Sequence, residues 1–325
     1  MRDRGNQMTL GVFLGAFAYA LVVLRSVRGG EDTAFVPALG VTIGLVLAGA
    51  CVALLIYFIH HVANRINVDT VIDLVHDDVV RDMERLTLDE PCREYPDPVD
   101  WSWAAKVSLR QAGYLQQTDT GALADWAKTH GCGVRLLTRP GEFVFPHAPF
   151  ALVSHEVEEA EAAIWGRVAL SRRGGSPADF TFPVAQLVEV AVRALSPGVN
   201  DPRTAISVLN RLGAALAWLA PRHLHNGVYE QDGVVRLYVP TLDYAALAGV
   251  MFDMIRQNAG TSPTVLIHLM TVLTAVAAVE TDLHRLNVLR RQARIADEQG
   301  QALFVNENDK AVLATAYADF LATAA

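Results

Sequence analysis

Two long stretches near the start of the chain lack the usual alternation of polar and apolar positions. Thr9 to Leu24 (TLGVFLGAFAYALVVL) is uncharged over 16 residues, and Val36 to Ile59 is uncharged over 24. A helix needs about 20 apolar residues to cross roughly 30 Å of hydrocarbon, so the second run spans comfortably and the first sits at the short end. The link between them, RSVRGGEDTAF, is short, which predicts a helical hairpin. Arg25 and Arg28 stand where a cleaved signal would carry small residues, so the first run reads as a span.

Beyond Arg65 the pattern changes. Val68, Val71, Ile72, Val75, Val79, Met83 and Leu86 recur at three- and four-residue steps, with Asp69, Asp73, Asp77, Asp78 and Asp82 mostly between them. This is one apolar stripe on a helix, and it must be buried on a soluble domain or on a second copy of the chain. No proline interrupts Ala38 to Glu90, so a single helix is expected to run from the span into a stalk. TLDEPCREYPDPVD, 87–100, reads as a linker because of its three prolines and its charges.

The remainder divides in two. Over 105–153 the runs AKVSLR and GYLQQTD have strand character. GALADWAKTH is a short helix capped by Asp119 or Thr120, and GVRLLTR and EFVFPHAPFALV form a hairpin about a Pro-Gly turn. From Pro183 onward helical patterns dominate: Pro183–Leu195, Pro202–Leu219, Tyr244–Asn258, Ser262–Arg294 and Asp309–Ala322. A hairpin over Asn226–Pro240 turns at QDG. The expected fold class is a membrane α-helical hairpin plus a cytosolic α+β domain with a mainly helical C-terminal half. The expected divisions are a transmembrane hairpin over 1–62, an amphipathic stalk helix over 63–90, a small α/β module over 91–182 and a helical domain over 183–325.

Composition agrees with a membrane-attached chain: 52% of the 325 residues are hydrophobic and the mean hydropathy is +0.24. The formal charge of −8 argues against a nucleic-acid partner, since binding phosphate needs a basic surface. Cys51, Cys92 and Cys132 are far apart, and no spacing suits a metal or cofactor, so none is expected. Arg2, Arg4 and Arg65 flank one side of the spans and Arg25 and Arg28 the other, which favours both termini in the cytosol.

Three groups of residues are candidates for function. Gly11 and Gly15, and Gly40 and Gly44, are each four apart, which puts each pair on one helix face where another helix can approach closely. Pore lining is the alternative. His60, His61 and Arg65 stand at the water end of the second span. Adjacent helical residues diverge by about 100°, so the two histidines read as interfacial side chains, with pH sensing or metal binding as alternatives. In RALSPGVNDPRTAI, 193–206, Ser-Pro-Gly ends one helix and Asn200 or Asp201 caps the next, with Pro202 at its first position. A structural corner explains that string. The same corner sets a helix N-terminus beside Asn200, Asp201, Arg203 and Thr204, which suits a small anion. No nucleophile–base pair emerges, so no catalytic residue is named.

MRDRGNQ…LGVFLGAF, FVPALGVT, IYFIHHVA, AGYLQ, LLTRPGEFV, RALSPGVNDPRTAI and MIRQNAG occur in an order and spacing that resemble the bacterial predicted-membrane-protein family known as domain of unknown function 2254. The resemblance covers most of the chain. It implies an inner-membrane protein with a cytosolic C-terminal domain and names no reaction. Members of that family usually carry about two further spans before the RDRGNQ segment, so this chain is expected to be a shortened member. The leading expectation is a homo-oligomeric, channel- or transport-like assembly in the lipid bilayer, coupled to a cytosolic sensing domain. A membrane-anchored, ligand-sensing regulator is the alternative, and a membrane-bound enzyme the third.

Overall fold

A computed structural model describes residues 4–26, 38–65, 68–93, 99–260 and 262–325, without the side chains of 4–10, 26 and 59–65. The chain forms two compact units, 1–71 and 72–325.

In the first unit, α1 (Arg4–Ser26) and α2 (Ala38–Arg65) pack on one another. The Tyr19 hydroxyl donates to the Gly40 carbonyl at 3.1 Å, and the Tyr19 ring lies 3.8 Å from where a Cβ on Gly44 would stand. Apolar side chains point outward along both helices: Phe17 is 65% exposed and Leu45 75%. Among the described residues only Ala38–Phe58 is long and apolar enough to cross a membrane, Gly11–Arg25 being shorter. The side chains of His60, His61 and Arg65 lie outside the described residues.

The second unit is an α+β domain with two cores. α3 (Val68–Leu86) buries Ile72, Val79 and Met83 in the larger one. Its stripe is thus covered within the chain from Ile72 on. α2 ends at Arg65 and α3 begins at Val68, 66–67 lying outside the description. α3 joins α6 (Thr181–Ala194), α7 (Pro202–Leu219), α8 (Tyr244–Asn258), α9 (Pro263–Ala277), α10 (Leu283–Leu303) and α11 (Glu307–Thr323) around Leu209, Leu216, Phe252, Leu269 and Phe320. α3 runs alongside α7 in the same direction: Asp73, in the first half of α3, meets Arg211 at the middle of α7 at 2.7 Å, and Thr87 meets Arg222 at 2.7 Å beyond the ends of both.

The expected single helix over Ser262–Arg294 is two. α9 stops at Ala277 and α10 starts at Leu283. Glu280 Oε1 accepts the N–H groups of Thr281 and Asp282, and Asp282 then accepts those of His284 and Arg285. Two successive carboxylates satisfy the orphan donors of a new helix, so the chain restarts there.

The smaller core lies among strands, around Leu115, Leu136, Phe150 and Leu237. β2 (Ala105–Ser108), β6 (Pro149–Val153), β4 (Val134–Leu136), β10 (Val234–Tyr238) and β9 (Val228–Gln231) form one sheet in that spatial order. β5 (Phe143–Val144), β3 (Gly113–Thr118) and β7 (Val168–Ser171) form a second. α4 (Thr120–Thr129) starts on its Asp119 cap, and α5 is Ala160–Trp165. The two runs of the hairpin expected about Pro140–Gly141 do pair, but through the far end of the second run and not beside the turn. β4 pairs with β6, while β5 crosses to β3, because Gly141 N–H donates to Leu115 O and Leu115 N–H to Glu142 O. The Asp232–Gly233 turn has both residues left-handed, as a tight hairpin requires. That hairpin is built into the first sheet, since β10 pairs with β4 in parallel. Thr87–Leu88, in the expected linker, forms a short strand β1 against β8 (His223–Leu224).

Candidate functional site

Two places bring polar side chains together at opposite ends of the α6–α7 pair. The first is the corner before α7. Asn200 adopts φ +47, a left-handed conformation that asparagine tolerates better than most residues. The turn closes through Asn200 N–H to Ser196 O and Asp201 N–H to Ala194 O. Asp201 Oδ1 then accepts from the N–H groups of Arg203 at 3.1 Å and Thr204 at 3.3 Å, and Oδ2 accepts the Thr204 hydroxyl at 2.6 Å. The Thr204 hydroxyl and these N–H groups hold the Asp201 carboxyl below its ordinary range. The positive end of α7 therefore already faces a carboxylate supplied by the chain. Arg203 extends outward, exposed.

The second place is a cleft of about 600 Å³ between the strands and the helices. Its walls come from six stretches: the end of α3 with β1, the end of β3, the Arg139–Pro140 turn, the loop entering α6, the Leu224–Tyr229 segment and the strand exit at Val239–Leu242. Each wall is fixed. Arg222 donates from Nε to the Thr87 hydroxyl at 2.7 Å and from Nη1 to Asp89 at 2.6 Å, holding the α3–β1 junction against the end of α7. Buried Arg285 donates to the carbonyls of Leu219, Ala220 and Arg222, the last at 2.7 Å, and lies 3.6 Å from buried Glu280. A cation on those carbonyls complements the negative end of α7. Arg85 donates to the Pro177 carbonyl. Asp179 accepts from the Thr181 N–H at 2.9 Å and from its hydroxyl. Gly141, at φ +90, brings its backbone so near that a Cβ would stand 2.3 Å from Asp179 Oδ2. Gly227, at φ +72, leaves 1.9 Å to Val239 O. Only glycine meets both conditions.

Among the residues of these walls some buried polar atoms go without a partner. The Thr118 side chain is nine-tenths buried and its hydroxyl has no hydrogen-bond partner; buried Arg139 Nε has none either. Arg139 reaches Glu142 with Nη2 at 3.5 Å and with its backbone N–H at 2.9 Å. His225 Nδ1 accepts the Gly227 N–H at 2.8 Å, and its ring stacks on Tyr229 at 5.3 Å. Burial lowers the His225 pKa, which favours the neutral ring with its proton on Nε2. A larger, more open groove of about 1410 Å³ follows β2 and α5. None of the buried unpartnered side-chain atoms among the described residues belongs to its lining. The cleft is therefore the candidate site.

The structure brings together the corner residues Asn200, Asp201, Arg203 and Thr204, and it sets Gly40 and Gly44 against Tyr19. Gly11 and Gly15 face open space, with nothing within 4 Å of an added Cβ. Sequence reasoning missed Thr118, Arg139 and His225, because their six-part wall has no local signature. The Pro140–Gly141 turn was the available signal. Among the described residues no group of three or more metal-ligating side chains forms.

The family described as "Predicted membrane protein (DUF2254)" matches residues 1–275. Uncharacterized protein Rv1290c of Mycobacterium tuberculosis and Uncharacterized protein Mb1321c of Mycobacterium bovis are each 30% identical to this chain over 334 residues. These matches take in 96% of this chain, which spans 62% of the length of those relatives. No solved structure matches the chain.

Proposed function

We propose that this chain, which belongs to the DUF2254 family of predicted membrane proteins, is a membrane-anchored ligand sensor that receives a small molecule in the cleft beside α3. One observation carries the reading. The helix that enters the soluble unit at Ile72 ends at the cleft, where Arg85 holds the Pro177 carbonyl and Leu86 forms part of the wall. Occupancy at Arg85 and Leu86 is thereby linked along one helix, over about 20 Å at 1.5 Å per residue, to the chain that leads into α2. A ligand that orders this wall shifts the balance of α3 positions by its differential affinity for them. The basic residues flanking α1 and α2 support an inner-membrane protein with this unit in the cytosol. A reporter fused after Leu86 is then cytosolic, and a periplasmic reporter signal sinks the orientation.

The test of sensing is hydrogen exchange of Ile72–Leu86 in full chain held in lipid nanodiscs, with compounds that raise its melting temperature. Protection in α3 is expected, and it disappears in Arg139→Gln. A stabilising compound that leaves α3 exchange unchanged defeats the sensor reading.

A channel- or transport-like homo-oligomer is the second reading, supported by the open Gly11 and Gly15 face. Small residues on such a face let a neighbouring helix approach closely. Gly15→Leu is then expected to dissociate the oligomer, whereas Gly44→Leu disturbs α1–α2 packing at Tyr19. An oligomer of unchanged size in Gly15→Leu ends this reading.

A further inference from the structure

We infer that the groove along β2 takes an extended, lysine- or arginine-rich segment of a partner protein, which adds a strand to the free edge of β2 and sets its basic side chains against Glu156, Glu158 and Glu159. This groove shares no lining residue with the cleft, so its use stands whether or not the cleft takes a ligand.

The edge comes first. β2 is the outermost strand of its sheet and pairs only with β6. Among the described residues no hydrogen bond joins the backbone of Ala105–Ser108 to anything on its other side. Successive side chains of a strand point to opposite faces, so a groove opening on one face would touch alternate residues. This groove, of about 1410 Å³, touches Ala105, Lys106, Val107 and Ser108 in succession, although the Val107 side chain belongs to the core. It therefore runs along the edge, where the outward N–H and C=O groups of β2 lie. An extended chain laid there meets them with its own main chain.

The charge of the other wall selects which chain. Glu156, Glu158 and Glu159 are exposed, and among the described residues none of them makes an ion pair. Glu161 is paired with Arg110 at 3.3 Å, which leaves Lys106 as the cation facing three glutamates. A basic segment is drawn to that wall, whereas nucleic acid and anionic lipid are repelled. A second copy pairing its own β2 here would set the same glutamates against one another. β2 is also short, with a register shift between Val107 and Ser108 and an exposed lysine, features that keep an open edge from pairing with any extended chain. Main-chain pairing is thus insufficient alone, and the glutamates supply the selectivity.

A smaller pocket of about 170 Å³ adjoins the exit of β2. It shares Arg110, Glu161 and Trp165 with the groove, and Leu109 and Gln111 complete it. A lysine or arginine of the partner fits this corner, its stem on the half-buried Trp165 ring and its head at Glu161. The Arg110–Glu161 pair it would compete with is solvent-exposed and therefore weak.

The test selects dodecapeptides displayed on phage against the full chain in phosphatidylcholine nanodiscs, empty nanodiscs removing those that hold lipid. The enriched sequences are expected to carry an excess of lysine and arginine and to slow hydrogen exchange at Ala105–Ser108. In an added strand only one of the two alternating sets of peptide amides faces β2. N-methylation of that set is expected to weaken binding about tenfold, and of the other set to leave it nearly unchanged. Glu156→Lys combined with Glu158→Lys is expected to weaken binding about tenfold without shifting the melting temperature, since both side chains are exposed. No enriched sequence, sequences without a basic excess, equal losses from the two N-methylated sets, or unchanged exchange at β2 overturns the proposal. Slowing at β2 that grows with protein concentration in the absence of peptide gives the edge to a second copy and overturns the choice of partner.

Discussion

The corner before α7 and the cleft beside α3 each hold an aspartate, an arginine and a threonine, and they dispose of them in opposite ways. At the corner, Asp201 takes up the Thr204 hydroxyl and the first-turn N–H groups, so the polar groups consume one another. In the cleft, Asp179 is consumed by Thr181, which leaves Thr118 and Arg139 Nε buried with nothing to bond. An unmet buried donor costs about 1–3 kcal/mol, so a fold that retains two of them in residues lining one cleft carries a liability there. The same three residue types therefore mean a cap in one place and a receptacle in the other. What separates them is whether the partners are neighbours in sequence.

The sharpest way to break this contrast is at the wall of the cleft. Gly141→Ala combines a left-handed backbone with a Cβ driven into the buried Asp179 carboxylate, which Thr181 prevents from moving away. A loss of about 2–4 kcal/mol is expected in urea unfolding followed by tryptophan fluorescence. A loss below about 1 kcal/mol would mean that the wall yields and the cleft has no fixed shape.

The corner should respond less strongly, and to pH. Asp201→Ala is expected to cost about 0.5–2 kcal/mol, as loss of an aspartate cap does, while Asp201→Asn keeps most of the cap at neutral pH. Folding holds the Asp201 carboxyl below its ordinary value, so its ionised form contributes stability above about pH 4. That contribution fades as pH falls through the lowered folded-state value. The stability gap between wild type and Asp201→Ala should therefore narrow in acid; a gap that widens contradicts the capping role.

Thr118→Val changes sign. Removing an unpaired buried hydroxyl while keeping its shape should stabilise the unliganded protein by about 1 kcal/mol in the same assay. Destabilisation there would show that the hydroxyl is already satisfied. The smallest effect is expected for Arg203→Ala, within about 0.5 kcal/mol, because its exposed side chain plays no part in the cap. A larger loss, or a gain in melting temperature from anions that depends on Arg203, would return ligand binding to the corner.

What could be read from the sequence was local. The stripe of Ile72, Val79 and Met83, the Asp119 and Asp201 caps and the left-handed Asp232–Gly233 turn each depend on residues a few positions apart. The break between α9 and α10 was also local in cause but hidden. Glu280 and Asp282 look like ordinary surface carboxylates until one sees that they accept consecutive N–H groups. The cleft was not legible because Thr118, Arg139 and His225 come from separate elements. Their lack of partners is a property of the whole fold. The β4–β10 pairing joins strands whose apolar alternation says only that each belongs to some sheet.

That pairing also orders events in time. Val134 stands beside Leu237, about a hundred residues later in the chain, and β10 is the strand that covers the free side of β4. At about 5–20 residues per second, a ribosome leaves Val134 and Leu136 at an open sheet edge for roughly 5–20 seconds. During that interval the strand core lacks Leu237, and its edge is open to any other extended chain. The nascent protein is thus most vulnerable to mispairing from the time β7 has been made until β10 follows α6 and α7, and a stop in synthesis anywhere between Ser171 and Val234 leaves that edge permanently exposed.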